Sequence, residues 1–236
     1  YLIMITLIRH SERLDCTNSK KWLNSKRYKE NTQDTPITPN GKKIAKKAYQ
    51  KLFDSGYNDV DYLYCSPLTR CVETCLVIKK EIKSKLKKDI KIRIENGLIE
   101  CGYPHDTIIF KDNKFQYDCK IKYLDEKLTL KNIIKKFGNH FDTDYKSVTK
   151  FNKVKFDYDE VKFINRSIKV FEDIRKQITK NDNVIICTHS GVMFGILSYL
   201  IKFHDKNQEY QLKGNNYCSM LITDYKRTKP KIINQF

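Results

Sequence analysis

Residues 2–8 (Leu-Ile-Met-Ile-Thr-Leu-Ile) are apolar at every position but Thr6. A strand with one wet face alternates polar and apolar side chains, so an unbroken run predicts a strand covered on both faces. Residues 61–66 predict a second strand, and 184–187 another buried one. Residues 91–95 alternate and predict a third strand, and 217–223 predict a last one. Between these runs the apolar period lengthens. Ile44, Ala45, Ala48, Tyr49 and Leu52 recur at helical spacing after Thr38-Pro39-Asn40-Gly41, where Thr supplies a cap and Pro the first turn. Leu68, Val72, Cys75, Leu76 and Ile82 mark a second helix that opens at Ser66-Pro67, with Ser66 read as its cap in preference to a hydrogen bond in the site. Residues 158–178 form a long amphipathic helix, and Ser190 opens another over 191–202. Strands alternating with helices predict an α/β fold, a three-layer α/β/α sandwich on a mostly parallel central sheet.

The rest of the chain is less regular. Residues 11–37 predict a long loop with a short helix near Trp22. The Lys-rich stretch 79–91 reads as a solvated helix face and loop. Residues 97–158 have weak periodicity and one helical candidate near 126–137; they read as an insertion placed to cover an active site within one domain of 1–236. The first residue is Tyr1, which reads as a piece of a longer chain.

Composition narrows the function classes. Lys and Arg number 46 against 28 Asp and Glu, a formal net charge of +18. Lysine spread over solvated faces accounts for most of it. Such a field favours an anionic substrate, whereas nucleic acid is disfavoured because basic and aromatic residues do not interleave as in a known binding module. No run is long enough for a membrane span, and residues 2–8 lack the flanks of a signal peptide. The 8 cysteines are irregularly spaced, which argues against a disulfide scaffold and for a reducing, cytoplasmic compartment. Cys71 and Cys75 stand one helical turn apart, as metal ligands can, but nothing nearby completes a site; buried thiols are expected.

In open α/β sheets, ligands bind beyond the carboxyl ends of the strands. Here those ends read Arg9-His10-Ser11-Glu12-Arg13, Cys65-Ser66-Pro67-Leu68-Thr69-Arg70, Glu95 to Glu100, and Cys187-Thr188-His189-Ser190-Gly191. Taken singly, each has a bland reading: a capping Arg-His pair, an ordinary helix start, a loop carboxylate, a structural histidine. Jointly they supply cations for phosphoryl oxygens, a nitrogen nucleophile and a proton donor. A cysteine-dependent phosphatase loop is not present, since Cys65 and Arg70 have only four residues between them where that loop needs five.

In order and placement, these motifs resemble the histidine phosphatase (phosphoglycerate mutase-like) superfamily. Arg9-His10-Glu12-Arg13-Asp15, Arg70-Cys71-Val72, Arg93 to Glu100, Phe141 to Tyr145 and Arg166-Ser167 are similar to its UBASH3/Sts protein phosphatases and ecdysteroid-phosphate phosphatases. The resemblance implies a phosphomonoester hydrolase with a phosphohistidine on His10. Arg9, Arg13, Arg70 and His189 would bind the phosphate, Glu100 would be the proton donor, and no metal or cofactor would be required. It implies a phosphorylated peptide or small molecule as substrate, and homodimerisation by analogy alone. Two departures stand out. Ser11 replaces the usual Gly, so the turn accepts a small side chain or the hydroxyl faces the pocket; Cys65 replaces the first Ser of the second motif. The mutase alternative is disfavoured because Glu12 to Thr17 lacks the Ser, Trp and Asn that hold a second acidic group. An inactive phosphate-binding scaffold is the other alternative.

Overall fold

A computed structural model of the chain describes residues 4–26, 34–100, 108–111, 114–117, 128–150, 160–202, 216–226 and 230–234. In chain order these form β1 (Met4–Arg9), α1 (Leu14–Thr17), α2 (Ser19–Leu23), α3 (Pro39–Asp54), β2 (Tyr62–Cys65), α4 (Thr69–Leu86), β3 (Ile92–Ile94) and a 3-10 turn (Asn96–Leu98). A hairpin of β4 (Ile108–Lys111) and β5 (Lys114–Tyr117) follows. Then come α5 (Leu130–Phe137), α6 (Glu160–Gln177), β6 (Val184–Thr188), α7 (Ser190–Ile201), β7 (Met220–Asp224) and β8 (Lys231–Ile233).

The main sheet runs β3-β2-β6-β1-β7-β8. Its first four strands are parallel, while β7 lies antiparallel to β1 and β8 antiparallel to β7. The sheet is therefore mixed, with a parallel half that carries the strand ends of interest. Side chains alternate between two cores, as the period of a strand requires. Ile8, Leu63, Cys65, Ile92, Ile185, Cys187, Met220 and Ile222 face the layer of α3, α4 and α5. Ile5, Leu7, Tyr64, Val184, Ile186 and Leu221 face α6 and α7. Both faces are covered, which is why the sequence runs are unbroken.

Local signals account for the helix ends. Thr38 Oγ1 accepts from Gly41 N at 2.8 Å at the start of α3. Helix α4 extends to Leu86 and stops at Lys87, which takes the left-handed conformation at φ 57°. The Lys-rich stretch is thus not wholly a solvated face: Lys79 is buried, and its Nζ donates to Ile90 O at 2.6 Å and to Asp89. Within 97–158, residues 128–141 pack against the sheet edge. Phe141 is buried and bridges to Ile92, and Ile133 of α5 joins the same core. Residues 101–107, 112–113, 118–127 and 151–159 lie outside the described residues. Strand β8 and the β4–β5 hairpin were not signalled, being short and without clear alternation. Among the described residues no helix is long and apolar enough to cross a membrane.

Candidate active site

Strands β1, β2 and β3 each hand their chain to the site with one more ladder bond. His10 N donates to Thr188 O at 2.8 Å, Ser66 N to Cys187 O at 3.0 Å, and Glu95 N to Cys65 O at 2.9 Å. His10 and His189 thereby leave neighbouring strands at the same level. Their ring centroids are 5.3 Å apart with an edge-on interplanar angle of 64°. Both are almost fully buried, as is Arg70 in the first turn of α4.

His10 Nδ1 lies 2.9 Å from the carbonyl oxygen of Ser11. A carbonyl can only accept, so Nδ1 carries the hydrogen and Nε2 keeps its lone pair. Burial first, and then the charges of Arg70, Arg9 and Arg13, hold the His10 pKa well below 6.5. His189 is held low by burial, then Arg70, His10, Arg13 and Arg9. Three guanidiniums thus surround two neutral imidazoles. Like charges held this close are mutually unfavourable, which marks the group as a functional-site candidate. Burial above all holds the pKa of Arg9 and of Arg70 below its usual value, and the charge of Glu100 works against that at both, so Glu100 lies by the same group. All six residues singled out in the sequence (Arg9, His10, Arg13, Arg70, Glu100, His189) are brought together.

The departures from the family pattern are absorbed locally. Ser11 is buried, and its hydroxyl donates to Gly41 O at 2.6 Å, away from the imidazole. Its amide donates to Thr74 Oγ1 at 2.9 Å. Of the two readings for Ser11, the turn that accepts a small side chain is the one observed. Cys65 is buried beside Cys71, Cys75 and Cys187 under the site, and the expectation of buried thiols holds. Among the described residues no cluster of His, Cys, Asp or Glu is arranged to hold a metal.

Ser66 does not cap α4. Its Oγ lies 2.9 Å from His189 Nε2. The cap comes from Asp34 instead, which accepts from Thr69 N at 2.6 Å and Thr69 Oγ1 at 2.5 Å. An Asp brought in from a preceding loop takes the Thr69 amide that a serine three residues before the helix would otherwise reach, leaving that serine to face the imidazole.

Residues 5–109 and 125–235 match the family model of the histidine phosphatase superfamily (branch 1). The chain belongs to the histidine phosphatase superfamily. It is 41% identical over 78 residues to an uncharacterized phosphoglycerate mutase family protein of Acanthamoeba polyphaga mimivirus, covering 33% of this chain and 37% of that one. Over 119 residues it is 32% identical to ubiquitin-associated and SH3 domain-containing protein A of Mus musculus, covering 41% of this chain and 19% of the relative. Against a 2,3-bisphosphoglycerate-dependent phosphoglycerate mutase of Buchnera aphidicola it is 29% identical over 219 residues, 86% of each chain. The fold is shared with the ecdysone phosphate phosphatase of Bombix mori, solved with tungstate, at TM-score 0.61 and 21% identity over 98% of this chain and 92% of that one. The chain spans well under half the length of the first two relatives.

Beside Arg9 and Arg13, sequence reasoning missed Tyr217 and the pairing made by Asp15. Arg9 Cζ sits 5.1 Å from the Tyr217 ring centroid, within cation–π range. Tyr217 stands in the turn before β7. A strand antiparallel to β1 begins where β1 ends, so the topology, once known, would have placed it here. Asp15 accepts from Arg13 Nε at 3.0 Å and Nη2 at 2.5 Å. The sequence offered Asp15 only as part of a motif, and its bidentate pairing fixes the plane of the Arg13 guanidinium.

Proposed function

We propose that the chain is a phosphomonoester hydrolase that works through a phosphohistidine on His10. The observation that carries this reading is the tautomer: Nδ1–H is committed to Ser11 O, and Nε2 is unprotonated among Arg9, Arg13 and Arg70. His10 Nε2 attacks phosphorus, and the bond to the leaving oxygen breaks. The three arginines and His189 receive the charge on the equatorial oxygens. Glu100 gives its proton to the leaving oxygen, then takes one from the water that cleaves the P–N bond and releases phosphate. No step calls for a metal. A broad-specificity or protein tyrosine phosphatase-like activity fits the resemblance to the UBASH3/Sts branch, and the +18 net charge assists approach of an anionic ester.

Turnover of p-nitrophenyl phosphate, with acid-labile phosphoenzyme trapped on quenching, tests this reading. His10→Ala is expected to lower turnover by about a thousandfold or more and to abolish the phosphoenzyme. A wild-type protein with neither turnover nor phosphoenzyme points to an inactive phosphate-binding module. The similarity to a mutase over 86% of each chain keeps phosphoryl transfer as the second reading. If the trapped phosphoryl group passes to 3-phosphoglycerate faster than to water, the mutase reading wins.

A further inference from the structure

The chain between β3 and Glu100 is held with unusual completeness. Glu95 is fully buried, and its carboxylate accepts from Tyr145 OH at 2.7 Å, Ser147 Oγ at 2.9 Å, Val148 N at 2.8 Å and Gly97 N at 2.9 Å. Beyond it, three successive carbonyls are each taken by a side chain from another element. Arg166 Nη1, on α6, donates to Gly97 O at 2.5 Å and to Ile99 O at 2.9 Å. Thr188 Oγ1, at the end of β6, donates to Leu98 O at 3.0 Å. Arg166 also lies over Phe163, with Cζ 5.1 Å from the ring centroid, and Phe163 packs where Gly191 and the Glu100 carboxylate meet. A loop of this length needs its backbone groups satisfied, but solvent or main chain would serve. A charge-assisted donor shared by two flanking carbonyls sets direction as well.

We infer that Arg166 is a positioning residue for proton transfer: by bridging Gly97 O and Ile99 O it sets where the Glu100 carboxylate stands relative to the leaving oxygen. Arg166 does not touch the substrate; it acts through Glu100. The inference rests on the proposed role of Glu100 as proton donor. General-acid help matters most when the leaving oxygen is a poor leaving group, and little when it departs as a stable phenolate. Loss of Arg166 should therefore change the dependence on leaving group, where a purely structural loss would slow every substrate alike.

The experiment compares kcat/KM for p-nitrophenyl phosphate and an alkyl phosphate in the wild type, Arg166→Met, Arg166→Lys and Glu100→Gln. This parameter reports the steps up to phosphoenzyme formation, with phosphoenzyme yield counting the folded sites. Arg166→Met is expected to lose about thirtyfold on the alkyl ester but under about threefold on the aryl ester. Arg166→Lys keeps a charged donor but on a flexible stem, without the planar group that aims Nη1 at both carbonyls, and should fall between. In a Glu100→Gln background Arg166→Met should leave the aryl-to-alkyl ratio where Glu100→Gln alone puts it. Equal losses on both esters in Arg166→Met and Arg166→Lys overturn the inference; if the Met variant does not fold, the Lys variant decides. Should Glu100→Gln itself fail to discriminate between the esters, the assignment of Glu100 is wrong, which is a separate result.

Discussion

At the scale of single residues the site depends on space as much as on charge. Gly191, one residue into α7, is where the Glu100 carboxylate lies closest to the helix; its amide is 3.4 Å from Glu100 Oε2. A Cβ there would collide with Glu100 Oε1 and stand 3.0 Å from Phe163 Cε1. The carboxylate is the end of a flexible side chain and gives way more easily than the buried ring. Gly191→Ala is therefore expected to cost little stability while lowering kcat/KM on an alkyl phosphate by about tenfold to a hundredfold, as displacements near 1 Å do. Thermal melting and steady-state kinetics on the same preparation check it; a large drop in Tm with kinetics intact would contradict the argument. Lone residues were also where the sequence misled. Ser66 looked like a cap because Ser-Pro so often begins a helix, and only the arrival of Asp34 from the loop freed it for His189.

Among elements, α4 matters most, because its first turn holds Arg70. That turn is secured by Asp34, and Lys136 of α5 joins in by donating to Thr69 Oγ1 at 2.8 Å. Asp34→Ala takes away the side chain that satisfies the first amide of α4 and leaves the buried Thr69 N–H without that acceptor, at a cost of about 1–2 kcal/mol. Urea denaturation should show that loss, together with weaker phosphate binding as Arg70 drifts; unchanged affinity would mean that the core face of α4 alone positions the arginine. The elements themselves were largely legible. β1, β2, β6 and helices α3, α4, α6 and α7 carry runs or periods strong enough to read directly, since each is packed on a wide apolar face. Strand β8, with only Lys231-Ile232-Ile233, has too few residues to show a period. The buried placement of Lys79 was hidden for a different reason: a lysine stem packs like a hydrophobe when its amine finds a carbonyl and a carboxylate.

For the molecule as a whole, the two imidazoles at its centre tie stability to pH. Both have folded-state pKa values well below the ordinary 6.5. Below about 6.5 the unfolded chain takes up protons that the folded chain refuses, so stability falls as pH is lowered from there towards the depressed values, by about 1.4 kcal/mol per pH unit for each ring. Above 6.5 neither state holds those protons and the contribution is flat. Urea midpoints between pH 6.5 and 5 should fall, and His10→Gln should reduce the slope; a midpoint independent of pH in this window would contradict the neutral, buried pair. What the sequence conveyed at this scale was the convergence of four strand ends at one sheet edge. It could not convey the left-handed Cys218 at φ 56° or the ring of Tyr217 beside Arg9, because these depend on the antiparallel return of β7.

The position of β1 has one more consequence. It lies between β6 and β7, and Met4 N is bonded to Asn183 Oδ1, 179 residues along the chain. On the ribosome, Ile5, Leu7 and Ile8 therefore emerge long before either neighbouring strand exists, as an apolar segment with open backbone edges on both sides. Pairings so distant in sequence are slow to close. His10 meets Arg70 early in synthesis but His189 only after β6 is made, so enzymatic competence would arrive late and abruptly, as a reporter that the centre of the sheet has been sealed.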